Sequence, residues 1–179
     1  MKTKLFAASL CTAFVLAGCD SYTAPQYQNS AANTITLQQL SSHGSRAGVG
    51  EIRLAEGVKA RPTCRLAGPL DLGGGDNVAS TIKMAIQSEL LAGGVFKANA
   101  TLINIVVTKL EPNSFDGNWQ IGLQVSSRKG AGYEIQSLTK FSTSFSAVAA
   151  CNNTASAFNR ALSEAIHIMV SDPRFKSLL

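Results

Sequence analysis

Apolar and polar positions alternate most cleanly over Asn118–Ser127 (NWQIGLQVSS). Trp119, Ile121, Leu123 and Val125 fall on one side, Gln120, Gln124 and Ser126 on the other. A period of two marks a half-buried strand. Thr101–Leu110 (TLINIVVTKL) is rich in branched residues and predicts a second strand. Ile103, Ile105 and Val107 share one of its faces, Leu102 and Val106 the other, so both faces are expected to be partly covered. Tyr133–Phe145 predicts a third strand, with Tyr133, Ile135, Phe141, Thr143 and Phe145 on one face. Between these runs lie turn sequences, Glu111–Gly117 and Arg128–Gly132, which predict hairpins and antiparallel pairing. The period changes to that of a helix twice. Val78, Ile82, Ala85, Ile86 and Leu90 recur at helical spacing, with Asp76 as the expected N-cap and Gly93-Gly94 as the stop. Phe158, Ala161, Leu162, Ala165, Ile168 and Met169 form the buried stripe of a final helix, expected to be capped near Asn152, Asn153 or Thr154. His167 then points away from the core, beside Glu164 and Arg160, and Asp172-Pro173 restarts a last turn.

Upstream, Thr63–Leu72 is an extended segment with Pro69 at an edge or kink, and Glu51–Leu54 a short strand. The order is therefore β-α-β-β-β-α. Strands joined by hairpins need one face covered, and two helices with one apolar stripe each supply the cover. The expected fold is an α+β two-layer sandwich, with a mostly antiparallel sheet and two helices on one face. Asp20–Thr34 (DSYTAPQYQNSAANT) is polar and rich in small residues, which predicts a flexible tether. The expected divisions are a signal over 1–18, a tether over 19–50 and one α+β domain over 51–179.

The amino terminus changes the picture. Lys2 and Lys4 precede an apolar run from Leu5 to Val15, which ends in Leu16-Ala17-Gly18-Cys19. Basic end, short apolar core and small residues are the layout of a secretory signal, and the core is too short to span a membrane as a mature helix. The closing cysteine resembles the lipobox of bacterial lipoproteins. That resemblance implies cleavage before Cys19, a diacylglycerol on its thiol and an acyl chain, such as palmitate, on its new amine. At about 0.8 kcal/mol per buried CH₂, several chains hold a domain firmly on a membrane. The implied location is the cell envelope, facing the periplasm; the choice between inner and outer membrane stays open.

Sixteen Lys and Arg face eleven Asp and Glu. Lys2 and Lys4 leave with the signal, and the remaining 161 residues carry a net charge of +3. Without a basic stripe this argues against nucleic acid as a partner. Cys11 is lost with the signal and Cys19 is taken by lipid, which leaves Cys64 and Cys151. Two cysteines in an oxidising compartment, with no Cys or His at ligand spacing, predict a Cys64–Cys151 disulfide and no metal or other cofactor.

Candidate chemistry is sparse. Gly73-Gly74-Gly75-Asp76 precedes a helix, but no lysine follows as in a phosphate-binding loop and Asp76 would repel a phosphate. His43 and His167 lack a nucleophile or metal partner in sequence, and no serine sits in Gly-x-Ser-x-Gly. No catalytic residue is assigned. Arg128 and Lys129, at a hairpin tip, are the candidate partner-binding residues.

From Cys64 to Phe175 the chain resembles small, mostly uncharacterised proteobacterial lipoproteins. The resembling residues are Ser88–Phe96, Gly117-Asn118-Trp119 with its alternating strand, Cys151–Ala155 and Ser171–Phe175. More distantly, the element order is similar to the lipopolysaccharide-assembly lipoprotein and to TolB amino-terminal-like accessory domains. The resemblance supplies no catalytic residue. It implies a non-enzymatic, lipid-anchored envelope accessory that binds another envelope protein or assembly. The alternative is a transport auxiliary that binds a small apolar or lipid ligand.

Overall fold

The computed structural model describes residues 22–179; the expected signal over 1–18 and the expected lipid-bearing Cys19 lie outside the described residues. Two sheets are present among them. In the larger, the predicted strands form β5 (Thr101–Asn113), β6 (Asn118–Ser126) and β7 (Tyr133–Lys140), paired antiparallel through hairpins. A further strand, β2 (Ala47–Leu54), joins the edge parallel to β5, giving the order β2-β5-β6-β7. The chain between β2 and β5 crosses over through a helix, α2 (Val78–Ala92), as a parallel pair requires. The fold is thus α+β with a mixed sheet. The smaller sheet has β4 (Gly68–Asp71) at its centre, antiparallel to β3 (Thr63–Cys64) and parallel to β1 (Tyr22–Thr23).

One face of the larger sheet is the core. Ile103, Ile105, Val107, Trp119, Ile121, Leu123 and Val125 are all buried there, beneath α2 and the long helix α3 (Ala147–Ser171). Leu110 is buried too, although strict alternation from Val107 would turn it outward. A shift of register between Val107 and Lys109 accounts for this: one extra residue resets the pleat, so that Leu110 pairs with the inward Ile121. Trp119 packs on Phe158 with ring centroids 5.4 Å apart, and its indole N–H donates to the Thr154 carbonyl at 2.9 Å. That bond satisfies the ring's one polar atom inside the core. The far face of the sheet, with Gln124, Glu134 and Gln136, is exposed.

Four expectations are corrected. The segment before residue 50 is folded over its described part: β1 pairs with β4, and a helix α1 (Ala31–Ser42) seats on α2 and α3 with Leu37 fully buried. Its weak apolar pattern hid it, since Leu37 and Asn33 are its only buried residues. The N-cap of α2 is Asn77, whose side chain accepts from Ser80 N–H; Asp76 is exposed and lies 3.8 Å from Arg61. α3 begins at Ala147 rather than after Asn152, because burial of Ala150, Cys151, Thr154 and Ala155 outweighs the poor helix propensity of the exposed Asn152 and Asn153. β7 stops at Lys140: the bond from Phe141 N–H to Gly117 O at 2.7 Å is the last rung to the start of β6, and Phe145 beyond it is left fully exposed.

Candidate functional site

The hairpin of Arg128 and Lys129 does not stand alone. The end of the sheet from which it projects also receives the α1–β2 loop, the loop before β5 and the last helix, α4 (Pro173–Leu178). These bring Arg46, Lys97 and Lys176 to the same mouth, a cleft of about 510 Å³. Five cations from four separate segments therefore share one cleft, and among the described residues no Asp or Glu side chain lines it. All five are exposed. Among the described residues, Arg46, Lys97, Arg128 and Lys176 take part in no ion pair. Their positions are built in. Arg46 donates to the carbonyls of Ser41 and Ser45. Lys129 donates its ammonium to Leu179 O, and Ser127 Oγ donates to Leu178 O at 2.8 Å, so α4 is stitched to the hairpin. Sequence reasoning found Arg128 and Lys129 and missed the other three, which lie 82, 31 and 48 residues from Arg128. No linear pattern carries that convergence.

The two cysteines are joined. Cys64 in β3 and Cys151 near the start of α3 form a disulfide with Cα atoms 5.7 Å apart, and both are buried. It locks the small sheet to the helix that roofs the large one.

His167 is not the solvent-facing residue its helical position suggested. Its Nδ1 meets Asn33 Oδ1 at 3.0 Å. The Asn33 amide nitrogen donates to Glu89 Oε1 at 3.2 Å and to Ser163 O at 3.1 Å, so its oxygen faces the imidazole and His167 Nδ1 carries the proton. Glu89, fully buried, accepts three bonds on Oε1: from Tyr27 O–H at 2.6 Å, Ser30 N–H at 2.8 Å and Asn33. Burial first, and the Glu89 carboxylate second, hold the Tyr27 phenol well above the ordinary tyrosine range. Each donor in this cluster is spent on another member, and the cluster ties residues 27–33 to α2 and α3. Its geometry is that of a clamp for the amino-terminal segment. His43 is similarly spent near the end of α1, with Nδ1 2.7 Å from Gln39 O.

Gly73, Gly74 and Gly75 all have positive φ and form the loop into α2, where Thr81 O–H bonds to Gly73 O. Among the described residues no cluster of three His, Cys, Asp or Glu is arranged to hold a metal ion. No family model, no curated protein and no solved structure matches the chain.

Proposed function

We propose that this chain is a non-enzymatic, lipid-anchored accessory domain of the bacterial cell envelope, which binds an acidic face of another envelope protein through its basic cleft. The observation that carries the reading is the convergence of Arg46, Lys97, Arg128, Lys129 and Lys176 on one cleft that, among the described residues, no Asp or Glu side chain lines. Exposed cations so grouped repel one another, and an acidic partner relieves that repulsion while charge complementarity speeds the encounter. The lipobox at Leu16–Cys19 supplies the anchor, and the remaining polar clusters are engaged in holding the fold. The alternative, a carrier of a small apolar ligand between helices and sheet, has less support: that space is filled by Trp119, Phe158 and Phe175, each buried.

The test is affinity capture of the tagged, membrane-bound protein, wild type against Arg128→Glu/Lys129→Glu. The wild type is expected to recover a defined envelope protein that the double variant loses. Equal recovery by a normally folded double variant overturns the assignment of the cleft. A wild type of unmodified mass, carrying no acyl chains, overturns the lipid anchor.

A further inference from the structure

The end of the sheet opposite the basic cleft is apolar. The turn Arg65–Ala67, the β5–β6 turn and the loop from β7 into α3 meet there, and with the first turn of α3 they expose Leu66, Phe115, Phe145 and Val148. Leu66 and Phe145 are as exposed as in an extended chain, at 105 % and 104 % of the reference. Nothing about the backbone beneath them is loose. Arg65 adopts a positive φ of 49° and lays its guanidinium 4.6 Å over the Phe115 ring. The same guanidinium donates to the carbonyls of Ser114, Ser144 and Phe145 at 2.9–3.1 Å. Thr143 O–H bonds to Ser114 O as well. One arginine thus binds all three loops into a platform, and the disulfide anchors it from below. Monomeric domains rarely hold large apolar side chains together in water without a use for them.

The amino terminus identifies the occupant. Two residues separate Cys19 from Tyr22, so three Cα steps reach at most about 11 Å at ~3.6 Å per residue. Tyr22 pairs with Leu70, and β1 runs parallel to β4. β1 therefore begins toward the end where β4 begins, at Gly68, two residues from Leu66. The basic cleft lies at the other end of β6, roughly 27 Å away at ~3.4 Å per residue.

We propose that the platform is the domain's bilayer-facing surface: Leu66, Phe115, Phe145 and Val148 enter the headgroup region of the membrane that holds the Cys19 acyl chains. The inference rests on the lipid-anchor reading above. It adds an orientation, with the basic cleft presented away from the membrane. Apolar side chains gain by leaving water at an interface in proportion to the area they bury, and the anchor keeps them at high local concentration beside it.

The test uses the mature acylated protein reconstituted into vesicles of phosphatidylethanolamine and phosphatidylglycerol, with and without dibrominated acyl chains. Wild type, with its single buried Trp119, gives the baseline emission. Phe145→Trp and Leu66→Trp place a reporter on the platform; Gln124→Trp places one on the exposed sheet face. Both platform positions are fully exposed, so neither variant disturbs the core. The expected result is a blue-shifted emission from both platform reporters that brominated lipid largely abolishes, while the Gln124→Trp reporter is unaffected. Platform reporters that bromine quenches no more than Gln124→Trp overturn the proposal. A blue shift without quenching also overturns it and assigns the patch to a second copy of this chain. Intact mass separates the two readings: without acyl chains both fall, whereas with acyl chains and no quenching only the bilayer-facing surface falls.

Discussion

Glu89 of α2 accepts the backbone N–H of Ser30, the N-cap of α1, at 2.8 Å across 59 residues of sequence. The carboxylate sits at the positive end of the α1 dipole and satisfies one of its first unbonded amides. Replacing it strands several donors at once. Glu89→Ala leaves Ser30 N–H, Tyr27 O–H and the Asn33 amide without their common acceptor. A loss of about 2–4 kcal/mol is expected, limited by local release of α1 into water. Urea denaturation gives the loss, and hydrogen exchange should show α1 amides opening ahead of the sheet. Uniform exchange across the domain would contradict the clamp.

Gly93 marks the second point where α1 is held. A Cβ at this position would lie 2.2 Å from Leu37 Cβ, although the backbone, at φ −82°, would accept alanine. Gly93→Ala is therefore expected to cost about 1–3 kcal/mol through overpacking alone. The same change at Gly130, near Ser177 and Leu178, should not affect α1. Thermal melts of the two variants, with protease sensitivity of residues 31–46, distinguish the sites.

The disulfide closes a separation of 87 residues. A loop of that length constrains the unfolded chain by roughly 4.6 kcal/mol. Cys64→Ala/Cys151→Ala should lower the urea midpoint accordingly and should loosen the Arg65 platform first, because β3 is only two residues long. An unchanged midpoint would show that the packing of α3 alone holds the small sheet.

Stability should fall at alkaline pH. Burial raises the Tyr27 phenol, with Glu89 adding to it, and burial then Asp172 raise that of Tyr133, whose O–H donates to Met169 O at 2.6 Å. A group raised on folding stabilises the native state below its unfolded pKa, about 10 for tyrosine, and loses that contribution as pH climbs above it. The midpoint of urea unfolding should hold from pH 8 to about 10 and then decline. Tyr27→Phe/Tyr133→Phe should flatten the decline at some cost in stability at neutral pH. Asp172 acts at the other extreme: its bonds with Arg174 hold its carboxyl below the usual range, so its contribution is lost as pH falls through that lowered value.

Loop charges at the basic cleft should be nearly silent in stability. Arg128→Glu/Lys129→Glu is expected to shift unfolding by less than about 1 kcal/mol, since exposed ionic contacts contribute little. Its effect on capture of a partner from membranes should be large. A variant that unfolds would instead mean that the bond from Lys129 to Leu179 is a main support of α4.

Where burial repeats at a fixed period, local pattern alone was enough to place the elements. The strand face of Trp119, Ile121, Leu123 and Val125, the stripe of α2, the stop at Gly93-Gly94 and the pairing of Cys64 with Cys151 follow from local pattern and parity. Tertiary structure decided the rest, because the energies involved come from partners far along the chain. α1 buries two side chains and is held by Glu89 and α3, so its own sequence resembles a tether. His167 faces Asn33, 134 residues away, where a helical wheel places it in solvent. Phe145 continues the alternation of β7 yet lies outside it, since pairing with β6 ends at the bond from Phe141 N–H to Gly117 O. The basic cleft and the apolar platform each gather side chains from several loops, and a sheet sends those loops to opposite ends only once its strands are paired. Pairing is a non-local event, so the two poles of this domain exist in the fold and not in any stretch of its sequence.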